Sequence, residues 1–299
     1  GDTITLGEGE YKLYNDISEN ELAGEELTFV GQGDKTIWNI GYKIDQPKAE
    51  DCDYDLGGAE KITFEKMKLK CGTGDYHGFA RIHNTVVKDC VIEGKTFYWG
   101  YTSAEFINTT FNAPLLDYAI WTYSSPTMTF DNCTFNATGK VINVYTDYGA
   151  GKQDIKVNFE NCTVNSYSFG KQALKINDSN MGSYKYIIKI YHPTVTAALD
   201  KTTCSQVFGF GNETANNTGR TEVYWNGDPV WKDGKMQTHS YTDGEKEERA
   251  YRDGEKEEGA FKITGHSDWI SSGAERIDKR EVTKESVSYT HLRAHETLA

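Results

Sequence analysis

The chain has 299 residues, of which 37% are hydrophobic and 13% aromatic, enough for one elongated domain with a thin, continuous core and a tail. A net charge of −13 disfavours nucleic acid and anionic lipid as partners. No apolar run reaches the length of a membrane span and no signal peptide is visible; because residue 1 is Gly, the natural start is expected to lie upstream.

In chain order, Gly1-Asp2-Thr3-Ile4-Thr5-Leu6 and Leu27-Thr28-Phe29-Val30-Gly31 come first, and the acidic stretch Asp51-Cys52-Asp53-Tyr54-Asp55-Leu56-Gly57 follows. Clustered carboxylates suit a hard cation, so Asp51, Asp53 and Asp55 are the candidate calcium ligands. The glycine comes one place late for an EF-hand, and Ile62 stands where that loop would carry its bidentate Glu. The stretch therefore reads as a solvent loop inserted between coils, and no cofactor other than calcium is expected.

From Phe64 onward a single phrase recurs. Phe130-Asp131-Asn132-Cys133-Thr134-Phe135 returns as Phe159-Glu160-Asn161-Cys162-Thr163-Val164. Looser copies place Met67, Cys90, Thr109 and Pro193 at the cysteine position, with steps of 23, 19, 24, 29 and 31 residues between successive anchors. A period in the twenties that varies by whole loops signals a solenoid, because each coil keeps its strands and lets its turns drift. Before each anchor the residues alternate between two faces, as in Met128 and Phe130 against Thr129 and Asp131, and after Asn132 the phase shifts so that Cys133 and Phe135 both follow Phe130 inward. Asn suits that break because it tolerates a left-handed backbone. A further strand follows each anchor, at 119–123, 141–145 and 173–177, and no long amphipathic helical pattern competes. The expected core is one inward column of Phe64, Val87, Phe106, Phe130, Phe159 and Ile190, beside a second column formed by the anchors.

The opening segments, together with Gly9-Glu10-Tyr11 and Gln32-Gly33, resemble the first coils of right-handed parallel β-helix proteins of the pectate-lyase-like superfamily, and the Phe-x-Asn-Cys-Thr-Phe coils are similar to those of secreted bacterial β-helix repeat proteins. The resemblance covers residues 1–231 and implies an all-β, right-handed, single-stranded parallel β-helix in an extracellular or cell-surface location. Enzymes of that superfamily carry either an Asp/Glu cluster that holds calcium beside a proton-abstracting Arg, or paired aspartates on neighbouring strands. The chain shows no dense set of outward acids on consecutive coils, and Arg81 and His83 read as isolated surface residues. The expectation is thus a non-catalytic adhesive, structural or carbohydrate-binding module, with a polysaccharide lyase or glycoside hydrolase as the alternative.

Aligning the second strands places Tyr98, Trp121, Asn143 and Lys175 at one outward position and Tyr123, Tyr145 and Asn177 two residues on. Tyr98, Trp121, Tyr123 and Tyr145 would then form an aromatic strip flanked by Asp117, Asp147 and Lys140, suited to the C–H faces and hydroxyls of sugars. The competing reading is that these rings lie half-buried and only stabilise the sheet. The six cysteines are not read as disulfides. Cys90, Cys133 and Cys162 act as small buried hydrophobes, in-register parallel side chains sit too far apart for unstrained bridging, and Cys52, Cys71 and Cys204 show neither a pairing pattern nor metal-ligand spacing. The Asn-x-Ser/Thr triplets are by-products of the repeat.

Residues 232–285 read as an acidic linker with part of a further module. A decapeptide at 241–250 repeats at 251–260 with eight acids against four bases, too little apolar surface to offset the entropy of ordering it. Residues 286–299 are set apart, because 287–297 resemble a translated sequencing adapter; the four-residue spacing of His291 and His295 is accordingly not read as a metal pair. Removing residues from about 236 onward, so that the chain ends after Lys235, is expected to preserve a single cooperative melting transition, measured by circular dichroism; its loss would show that the tail carries part of the core.

Overall fold

A computed structural model describes residues 1–12, 17, 20–40, 53–71, 78–113, 118–123, 127–137, 140–145, 154–165, 174–176, 185–192, 194–195, 208–209, 220–233 and 235–236. The described elements are almost entirely strands, and apart from an antiparallel hairpin near residues 221–236 they stack in parallel register into a single-stranded β-helix. Each coil contributes to three ladders in turn. In the central coils the first ladder takes Thr127–Asp131, then Ile155–Glu160, then Tyr186–Tyr191. The second takes Thr110–Ala113, Thr134–Ala137 and Thr163–Asn165. The third takes Tyr118–Tyr123, Lys140–Tyr145 and Leu174–Ile176.

The expected inward column forms as read. Phe64, Val87, Phe106, Phe130, Phe159 and Ile190 pair in unbroken register, and all are buried. The register extends the column to Phe29 and Ile4 at one end. Phe106 and Phe130 stack at 5.0 Å between centroids, and Phe130 and Phe159 at 4.9 Å, each pair 11° from coplanar. A parallel stack of Phe111 on Phe135 lies beside it in the second ladder. Ring-on-ring contact at the coil repeat follows from in-register pairing, since strands of a parallel sheet lie about 4.8 Å apart.

The break between the first two ladders has a uniform geometry. Lys66, Asp89, Asn108, Asn132, Asn161 and His192 all take left-handed backbone, with φ between 48° and 53°. That conformation turns the chain at a single residue and lets inward positions fall on both sides of the corner. The corners stack too: Asn132 Nδ2 donates to Asn108 Oδ1 at 2.6 Å, and Asn108 Nδ2 to Asp89 Oδ1 at 3.1 Å.

The anchor residues next to these corners do more than fill space. The Cys133 thiol donates to the carbonyl of Phe106 at 3.2 Å, one coil earlier, and Cys162 does the same to Phe130 at 3.3 Å. Cys90 reaches Phe64 O at 3.6 Å, and the Thr109 hydroxyl reaches Val87 O at 3.2 Å. At these four anchors the position carries a small buried donor that meets a carbonyl at the corner, which is how Thr can replace Cys there, whereas the buried Met67 in the first of these coils fills the position without a donor. Cys71, Cys90, Cys133 and Cys162 are free and buried. Burial pushes the Cys71 and Cys90 thiols up to about 12, and the neighbouring Cys162 thiol together with burial raises Cys133 as well. Pro193, the last expected anchor, lies outside the described residues, as do Cys52 and Cys204.

At its far end the first ladder closes with an antiparallel hairpin. Thr221–Trp225 pairs in parallel with Tyr186–Tyr191 and then turns through Asn226 (φ 50°) and Gly227 (φ 89°) to run antiparallel as Asp228–Lys232, followed by Lys235–Met236. Two consecutive left-handed residues, Asn then Gly, are what a two-residue hairpin turn demands. Glu222, 8% exposed, is held here by Lys185 Nζ at 2.6 Å and by the Tyr224 hydroxyl at 2.7 Å. The lysine hydrogen bond keeps the Glu222 carboxyl below its usual range.

Phe130→Ala is expected to cost about 3–5 kcal/mol in chemical unfolding, because it opens a cavity between two stacked rings. A loss under about 1 kcal/mol would show that the coils collapse into the gap. For Glu222 the folded carboxyl titrates below the unfolded one, so its stabilisation is present above the ordinary carboxylate range and is lost as pH falls through the depressed value. Wild type should therefore melt above Glu222→Gln at neutral pH, with the difference closing on acidification; a pH-independent difference would remove the ion pair as its cause.

Candidate functional site

The third ladder carries the aromatic residues, and its register corrects their alignment. Trp121 pairs with Phe97, Thr122 with Tyr98 and Tyr123 with Trp99. Tyr98 is thus one residue out of phase with the expected strip, and it belongs to the core: it is fully buried, stands edge-on to Phe106, and its hydroxyl donates to Thr85 Oγ1 at 3.1 Å and approaches Ser103 O at 3.3 Å. A shift of one residue along a strand moves a side chain to the opposite face, which is the whole of the error.

Two register columns replace the expected strip. One runs Phe97, Trp121, Asn143, Lys175, and the other Trp99, Tyr123, Tyr145. Trp99 and Trp121 are half-buried, with their indole nitrogens shielded from solvent, so each offers part of its surface and not a whole ring. The other expected members keep their strand positions: Trp121 is in register with Asn143, and Tyr123 with Tyr145. Asp117 and Asp147 lie outside the described residues. Lys140 opens its strand in register with Tyr118.

Arg81 and His83, read from the sequence as isolated, join this face. Ala80 pairs with Trp99 and Ile82 with Gly100, so Arg81 is an extra residue in its strand, and its φ is 59°. Such a bulge re-aims a side chain. Here the guanidinium carbon lies 5.2 Å from the centre of the Trp99 ring. Tyr101 stands edge-on to Trp99 at 6.3 Å and packs against His83 at 5.0 Å. The cluster of Arg81, His83, Trp99 and Tyr101 was missed because its members come from two coils and meet only through the bulge.

The acidic stretch is also placed differently from its reading. Asp53–Asp55 is a strand, paired in parallel with Gly78, Phe79 and Ala80, and Leu56 after it is buried. Residues 53–55 are therefore a rung of the third ladder and not a solvent loop, while Asp51 lies outside the described residues. Among the described residues no group of three or more His, Cys, Asp or Glu side chains could hold a metal ion. Among the described strands, Asp131 and Glu160 are the acids that stand in register on neighbouring coils.

Set against family models, curated proteins and solved structures, the chain matches none.

Proposed function

We propose that the chain is a non-catalytic β-helix module of the pectate-lyase-like kind, secreted or displayed at a cell surface, that binds a polysaccharide or cell-surface glycan along its third ladder. The observation that carries this reading is the recurrence of aromatic residues at matched register positions on successive coils: Phe97 with Trp121, and Trp99 with Tyr123 and Tyr145. Aromatic residue types repeated in register at the coil spacing suit a ligand that is itself a repeat of rings, whose C–H faces pack on aromatic side chains while its hydroxyls find polar groups. The half-burial of Trp99 and Trp121 is consistent with weak, additive subsites. The enzymatic alternative draws its support from Asp131 and Glu160, an in-register acid pair of the type that flanks a glycosidic bond, though it lies on the first ladder, away from the aromatic columns.

A glycan-array screen combined with reducing-sugar and unsaturated-product assays tests the reading. Binding without turnover is expected, and Trp121→Ala should weaken it by about 1 kcal/mol, with further loss as more rings of the two columns are removed. Turnover abolished by Asp131→Asn or Glu160→Gln would establish an enzyme instead. Absence of binding to any glycan would leave a structural spacer.

A further inference from the structure

We infer that Arg81 is a positioning residue for the aromatic ladder: its guanidinium clamps the Trp99 indole and sets the angle at which that ring can meet a ligand. The ligand part of this inference rests on the glycan reading above, whereas the clamp itself does not.

Three observations converge on Arg81. Its backbone is left-handed in the middle of a strand, away from the corner column where Asn, Asp, Lys and His adopt that conformation. Non-glycine residues hold such a conformation only where the surroundings over-determine it, and they concentrate at ligand clamps and functional sites. The register passes from Ala80–Trp99 to Ile82–Gly100, so the residue is inserted and its side chain redirected. The redirected guanidinium then lies over the Trp99 ring. A glycine or asparagine would satisfy the same backbone at lower local cost, so what arginine adds at this position is its planar cation.

The effect on the site follows from ring mobility. A half-exposed indole can change rotamer, and ordering it on binding would subtract from affinity. Arg81 against the face of Trp99 and Tyr101 at its edge restrict that motion before a ligand arrives. Trp99 shares its register column with Tyr123 and Tyr145 and stands at the end of that column nearest Arg81. Pre-organised contacts of this type are what distinguish a binding surface from a patch of incidental aromatics.

The experiment uses Arg81→Asn, which tolerates the left-handed backbone and removes the cation, and Arg81→Lys, which keeps the charge without the plane. Trp99→Phe serves as the subtraction that isolates the Trp99 fluorescence signal. Arg81→Asn should leave the melting temperature close to wild type, make Trp99 more accessible to acrylamide quenching, and weaken binding of a glycan identified by the array roughly fivefold. Arg81→Lys should recover part of both effects. Unchanged Trp99 quenching in Arg81→Asn would overturn the clamp. Binding that falls only in step with the melting temperature would overturn its role toward the ligand. If wild type bound no glycan, the glycan reading would fail separately, and the quenching difference alone would decide the clamp.

Discussion

In-register stacking of identical positions, enforced at one left-handed corner per coil, is the constraint on which the structure depends. The corner residues Asp89, Asn108, Asn132 and Asn161 turn the chain at nearly the same φ and donate their backbone N–H groups to carbonyls of the next coil at 2.9–3.0 Å. Once the corner is set, the phenylalanines on one side must lie over one another, and the thiols or hydroxyls on the other side must meet the carbonyl of the preceding coil. Turns elsewhere in the coil are free to vary in length because they do not affect that alignment. The irregular spacing of the anchors is therefore compatible with a regular core.

This explains which parts of the molecule were legible in the sequence. The Phe and Cys columns could be read because each coil repeats the same short phrase around the corner, and polar residues between the apolar ones mark the phase. The chemistry of the anchor was less visible: cysteine was read as a small hydrophobe, whereas its thiol also closes a hydrogen bond, and only Thr109 in the same column hinted at a donor. The run Thr96-Phe97-Tyr98-Trp99-Gly100-Tyr101 was misread by one residue, since nearly every position is aromatic and no alternation tells inside from outside. Arg81 was unreadable for another reason. An inserted residue changes the phase of its own strand, and nothing in Phe79-Ala80-Arg81-Ile82-His83 marks the insertion. Asp53–Asp55 looked like a loop because charge outweighs pattern in so short a rung.

The proposed site sits on the ladder where the coils are least alike. The first ladder repeats its residues closely from coil to coil, whereas the third carries Trp99, Trp121 and the bulged Arg81 at positions that its other coils fill with different residues. A scaffold that fixes two ladders by repetition leaves the third able to differ, and function in such a fold is carried by the departures from the repeat.

The hairpin at Asn226-Gly227 has a consequence for association between molecules. A parallel β-helix ends in bare strand edges, each a template on which another copy could continue the stack into a fibre. Laying Asp228–Lys232 antiparallel against Thr221–Trp225 occupies the next position in the first ladder with a strand of the opposite direction. The direction of the sheet is reversed there, so the ladder stops as a parallel template, and the chain guards that edge with its own backbone.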